Sequence, residues 1–144
     1  MAGGVRRALE RERGAAAVEF ALLAVPLLTI LMGIIAFGLM LSFRQSISQA
    51  AAEGARAAAV APPGTDFATR KRAAEAAIAA AIPGSHTCGD GVLTCTIPDP
   101  GTTGKTVRVA VSYNYDKAPV GPEFPGLGVV MPDSLAFTSE VRIS

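Results

Sequence analysis

Tryptophan is absent from this 144-residue chain, histidine occurs once, at His86, and cysteine twice, at Cys88 and Cys95. Charged residues make up only 17%, against about 25% in an average soluble chain. Each shortage removes a class of function. A single histidine excludes a histidine pair working as acid and base. His86 with Cys88, Cys95 and Asp90 fits the spacing of no common zinc motif, so we expect no metal and read His86 as an exposed loop residue. No nucleophile stands beside a base, which argues for a non-enzyme with no cofactor and no small-molecule substrate. From residue 44 onward nine basic side chains are matched by nine acidic ones. Without a basic patch to neutralise phosphates, nucleic acid is not an expected partner. The stretch DPGTTGKT approaches a phosphate-binding loop, but Asp99 replaces the first glycine and a strand-like VRVAVSY follows, so it reads as a turn.

What the chain has in excess is apolar length. Half of its residues are hydrophobic and the mean hydropathy is +0.39. Residues 20–41 run for 22 positions without a charge, enough for a helix to cross the roughly 30 Å hydrocarbon core of a bilayer. Ahead of this run stand Arg6, Arg7, Arg11 and Arg13 with Glu10 and Glu12, a net +2. By the positive-inside tendency this end lies in the cytoplasm and the rest of the chain outside it, with Arg44 as a weaker counterweight. A cleaved secretory signal is the alternative, with QAAAEG as its cleavage site, although signal-peptide apolar regions span only about 7–15 residues. Cys88 and Cys95 flank GDGVLT, and outside the cytoplasm a tight hairpin turning at Asp90-Gly91 would let them bond. Two small buried thiols are the other reading.

The remaining elements follow from spacing. One helix is expected over residues 15–59, bent at Pro26 and ended by Pro62-Pro63-Gly64, with Glu53 and Arg56 three apart on its surface. Ala50, Gly54 and Ala58 at four-residue spacing permit close helix contact, compatible with bundle packing. A second helix is expected over residues 66–81, capped by Thr65 or Asp66 and stopped by Pro83-Gly84. It would bury Phe67, Ala74, Ile78 and Ala81 and leave Arg70, Lys71, Arg72 and Glu75 in solvent. TVRVAVSYNY alternates, with Val107, Val109, Val111, Tyr113 and Tyr115 on one face; LAFTSEVRIS does likewise with Phe137, Val141 and Ile143. Between them, KAPVGPEFPGLGVVMPD is a long apolar loop, packed down or a contact surface. The expected class is α+β: a long transmembrane helix extending outside the membrane, a short helix and a small antiparallel sheet.

Glu19 is the one residue out of character, an acidic side chain at the start of a membrane helix. Near the membrane centre it costs roughly 2.5–3.5 kcal/mol on insertion scales, but one turn inside the interface headgroups can solvate it. Its surroundings carry a resemblance. Arginines, then Gly14, then AAAVEF, then a long apolar run with an early proline resemble the start of a type IV prepilin. Residues 11–60, with GAAAVEFALLAVPLL, GIIAFG and QAAAEGARAAAV, are similar to the TadE-like pseudopilins of the tight-adherence (Flp pilus) system. Many such pseudopilins carry an acidic residue in the GI-FG segment, where this chain has Ala36.

The resemblance implies that a membrane-embedded aspartyl prepilin peptidase cuts between Gly14 and Ala15. Glu19 then becomes the fifth residue of the mature chain, followed by Phe20, and pairs with the amine of a neighbouring subunit. The new amine at Ala15 would lie about 6 Å from Glu19 on a helix surface. A glycine before the cut resists helix formation and leaves room for the enzyme. The implied partners are the peptidase, other pilin or pseudopilin subunits, the inner-membrane pilus assembly machinery and membrane lipid. The implied layout is a basic cytoplasmic leader over residues 1–14, a transmembrane and extended helix over 15–61, and an extracytoplasmic domain over 62–144. Because the major pilins of that system are generally shorter, the long segment after Pro63 suggests a minor role. An unprocessed single-pass envelope protein with a partner-binding domain remains the alternative.

Overall fold

In a computed structural model the chain forms an α+β fold with the order α1 (Ala2–Val60), α2 (Phe67–Ala81), β1 (Leu93–Thr96), β2 (Thr106–Asn114) and β3 (Ser134–Arg142). The structure describes residues 2–62, 64–101, 104–121 and 131–142, with side chains from residue 14 onward. The side chains of Arg6, Arg7, Arg11 and Arg13, the residues Pro63, Thr102, Thr103 and Ile143, and the loop centre 122–130 lie outside it. The chain divides into two compact units, Met1–Phe37 and Gly38–Ser144.

The first helix starts earlier than the expected Ala15 and runs through Gly14. The segment VRRALERER consists almost entirely of strong helix formers, and one interior glycine costs only about 1 kcal/mol relative to alanine, too little to stop it. Pro26 lies inside α1. The helix ends at Val60, two residues before Pro62, which has no N–H to continue it.

In the second unit, α2 begins as its sequence implies. Asp66 is its N-cap, accepting from the Thr69 N–H at 3.1 Å and the Thr69 hydroxyl at 2.7 Å. Those two bonds hold the Asp66 carboxyl below the usual carboxylate value. Ala74 and Ile78 are fully buried and Phe67 and Ala81 partly so. Arg70 departs from the solvated face assigned to it. Its guanidinium donates to the carbonyls of Ala58 at 2.9 Å, Pro62 at 3.2 Å and Thr65 at 3.3 Å. The last carbonyls of a helix have no partner within it and carry the negative end of its dipole. Arg70 supplies the missing donors and ties the α1–α2 connection together. Glu53 and Arg56 do meet, 3.5 Å apart on the surface.

The small-residue stripe has a definite occupant. Ala50, Ala51, Gly54, Ala55 and Ala58 are all buried, and α2 of the same chain lies on Gly54. A Cβ at Gly54 would stand 2.6 Å from Ile78 Cγ1 and 3.4 Å from the Ala74 carbonyl oxygen. The close approach that the spacing suggested for a bundle is thus used within this chain.

The sheet is antiparallel with β2 in the centre. Val107, Val109, Val111 and Tyr113 point inward as the alternation requires, Tyr115 is buried just beyond the strand, and Phe137 and Val141 are partly buried. On the other face Arg108 pairs with Glu140 directly across the strands. These inward side chains close one core with Met40, Phe43 and Ile47 of α1 and Ile78 of α2. The Phe43 and Tyr113 rings meet edge to face, 4.6 Å between centroids, a favoured aromatic geometry. Leu135, buried on β3, extends the inward pattern by one position.

The reading of residues 88–95 as a hairpin is corrected. β1 pairs with β2, setting Cys95 opposite Val111, and no strand precedes Cys88 among the described residues. A compact turn replaces it because Gly89 and Gly91 take φ of +92° and +86°, values that glycine adopts without strain.

If the Gly54 contact fixes α2, Gly54→Val should destabilise the domain by roughly 1–3 kcal/mol through overpacking. Urea unfolding of the full chain in detergent, followed by circular dichroism, measures this. Adding Ile78→Ala should recover part of the loss, whereas strictly additive losses would contradict the contact.

Candidate functional site

Gly14, Ala15, Glu19 and Phe20 all lie on α1 and are exposed. Ala15 and Glu19 are one helical turn apart and therefore share a face. The bond between Gly14 and Ala15 is part of the helix, so presenting it in extended form requires local unwinding. Beyond it the apolar side chains are exposed on every side: Phe20 73%, Leu22 71%, Leu23 68%, Val25 67% and Leu27 68%. Successive residues turn by 100°, so the helix has no polar face here, the pattern of a segment surrounded by lipid or by other helices. Among the described residues this is the one helix long and apolar enough to cross a membrane. The Thr29 hydroxyl is satisfied inside it, donating to the Val25 carbonyl at 2.9 Å, as an apolar environment demands. Glu19 is the sole ionisable residue between Gly14 and Arg44, and no described side chain forms an ion pair with it.

The second unit carries a polar cluster of a different kind. Cys88 and Cys95 form a disulfide with their Cα atoms 5.3 Å apart. Within its loop, Asp90 gathers four donors: Leu93 N–H at 2.7 Å and Val92 N–H at 2.8 Å on Oδ1, Thr87 N–H and His86 Nδ1 at 3.1 Å each on Oδ2. The amides of Leu93 and Val92 are the main reason that its carboxyl lies well below the usual carboxylate range. His86 is half-buried, not the exposed loop histidine expected, and its Nε2 lies 3.3 Å from the Tyr113 hydroxyl. Burial, aided by the charge of Asp90, pushes the Tyr113 phenol up.

These residues build a turn. Both cysteine sulfurs are spent on each other and His86 Nδ1 on Asp90, and no group of three or more possible metal ligands occurs among the described residues. Asp99 likewise closes a local turn, accepting from the Gly101 N–H at 2.9 Å. A shallow cavity of about 260 Å³ lies between Met40, Arg44 and the start of β3, with the Arg44 guanidinium 5.4 Å above the Phe137 ring. The sequence offered no signal for Arg70 as a carbonyl cap or for His86 beside Tyr113, because their partners are 12 and 27 positions away. Asp90 was visible as a turn residue, since an acidic residue before glycine favours one.

The sign of the pH dependence follows from Asp90. A carboxyl with a lowered folded pKa adds stability above its unfolded value, near 3.9, and loses it as pH falls through the folded value. Thermal unfolding of the full chain should therefore shift to lower temperature below about pH 4. Asp90→Asn should be less stable at pH 7 and show a shallower acid slope; an unchanged slope would remove Asp90 from this account.

Neither a curated protein nor a solved structure matches the chain. The TadE-like protein family matches residues 14–56. That span opens at Gly14, takes in Glu19, Phe20, Pro26 and the apolar run, and ends two residues beyond Gly54. Over these residues the chain is similar to the TadE-like family.

Proposed function

We propose that the protein is a minor pilin-like subunit of tight-adherence (Flp) pilus biogenesis, cut by a prepilin peptidase after Gly14 and assembled through its N-terminal helix. One observation carries this reading. The TadE-like match opens at Gly14, where α1 enters a stretch with no polar face in which Glu19 is the single ionisable side chain before Arg44. A carboxylate there gains by pairing with an amine, and cleavage supplies one a turn away, on the same chain or on a neighbour docked in register. The leader arginines hold residues 1–14 in the cytoplasm, so the peptidase meets the bond at the cytoplasmic face of the inner membrane. The domain after α1 then lies outside the cytoplasm, in a compartment where the Cys88–Cys95 bridge persists. Partners in this reading are the peptidase, other pilin or pseudopilin subunits, the inner-membrane assembly machinery and lipid.

The continuity of α1 through Gly14 favours a second reading, a single-pass envelope anchor that is never processed. Mass spectrometry of the chain co-expressed with a prepilin peptidase separates the two. Processing gives an N-terminus at Ala15, and Gly14→Arg keeps the leader; an intact wild-type leader selects the unprocessed anchor. Glu19→Gln should insert and be cleaved but assemble roughly tenfold less well, the factor that about 1.4 kcal/mol of lost pairing implies. Cross-linking of neighbouring subunits measures it, and wild-type yields would refute the pairing.

A further inference from the structure

The contacts Asp90–His86–Tyr113–Ala118 form a series in which each hydrogen bond needs one proton. The Asp90 carboxyl, held low by the backbone amides around it, is ionised at neutral pH and has no proton to give. His86 Nδ1, 3.1 Å from Asp90 Oδ2, is therefore a donor. At the other end the Ala118 carbonyl is an acceptor only, and the Tyr113 hydroxyl donates to it at 3.0 Å. That bond consumes the one phenolic proton. His86 Nε2, 3.3 Å from the same hydroxyl oxygen, completes the series only by donating as well. A histidine that donates from both nitrogens is an imidazolium.

The neutral ring has one N–H, and the charge-assisted bond to Asp90 retains it at Nδ1. Nε2 then presents a lone pair to Tyr113, and the phenolic proton is contested between Nε2 and the Ala118 carbonyl. We propose that His86 is a protonation-dependent latch on residues 118–120, the entry to the apolar, proline-rich loop. The charged ring leaves Tyr113 free to hold Ala118, and the neutral ring draws the Tyr113 proton away. The Tyr115 hydroxyl donates to the Val120 carbonyl at 3.1 Å, a tether with no histidine beside it. Segment 118–120 thus carries one pH-coupled restraint beside two uncoupled ones, the Tyr115 tether and the bond from the Ala118 N–H to the Asn114 carbonyl at 3.4 Å.

The ionisable groups around His86 come from the disulfide turn, from β2 and from the chain just after it. The disulfide turn contributes Asp90, and β2 contributes Tyr113, with Tyr115 just beyond it. Lys117, after β2, places its ammonium 3.3 Å from the Gly91 carbonyl. From α1 the uncharged Phe43 ring meets Tyr113. Histidine titrates within about pH 5–8, whereas aspartate, tyrosine and lysine ordinarily do not.

Carbon-13 NMR of the full chain in detergent micelles between pH 5 and 8 tests the latch. The Ala118 carbonyl resonance should shift with the same midpoint as the His86 ring Cε1, while the Val120 carbonyl stays fixed. In His86→Gln the Ala118 response should be lost; in Tyr113→Phe the ring should still titrate with Ala118 no longer following. A flat Ala118 carbonyl, a ring that does not titrate in this range, or a response surviving either substitution would overturn the latch. The wild-type comparison of Ala118 with Val120 decides the matter even where a variant fails to fold.

Discussion

The domain depends on the near absence of side-chain volume along one face of α1. Ala50, Ala51, Gly54, Ala55 and Ala58 let α2 approach until Ile78 fills the space where a Gly54 side chain would stand. Close packing of this kind is sensitive to single methyl groups, because interiors are filled to crystal-like density. Met40, Phe43 and Ile47, nearer the apolar run, are larger and join the side chains of the sheet in the same core. The helix is therefore graded: bulky residues where it shares a core with a sheet, small ones where it meets another helix.

The same helix changes its relation to its surroundings along its length. Over most of the apolar run no charged side chain interrupts any face and the one hydroxyl, Thr29, bonds within the helix, which suits lipid or other helices as its environment. Past Arg44 the sequence becomes amphipathic, with Glu53 and Arg56 on the water side and the alanine stripe inward. The TadE-like match covers both regimes, joining an apolar stem to the first layer of a folded domain.

Polar groups in the domain act mainly as ties between elements. Arg70 holds the end of α1 to the connection before α2, Asp90 organises the disulfide loop, and Tyr113 and Tyr115 hold the chain that follows β2. Each tie satisfies backbone groups at places where regular structure stops, which is where unpaired carbonyls and amides are most costly. The His86 contacts add a titratable member to one of these ties.

Much of this was legible in the residues. Helical and strand periodicities placed α2, β2 and β3, because their inward residues follow the pleat and the turn of a single element. The charge-free run and the misplaced Glu19 were legible from local spacing, and the resemblance of residues 11–60 to TadE-like pseudopilins agrees with the family match over residues 14–56. β1 was not legible as a strand, since LTCT is only four residues long and is defined by its pairing with β2. Nor was the start of α1, where a chain of helix formers outweighs one glycine. The sequence by itself determined what is local: element types, the apolar stem, the turn at Asp90 and the availability of two cysteines. Only the tertiary structure decided that α2 fills the alanine stripe, that Arg70 caps α1 and that His86 meets Tyr113. Those contacts join residues far apart in the chain, and their energies arise only when the core brings them together.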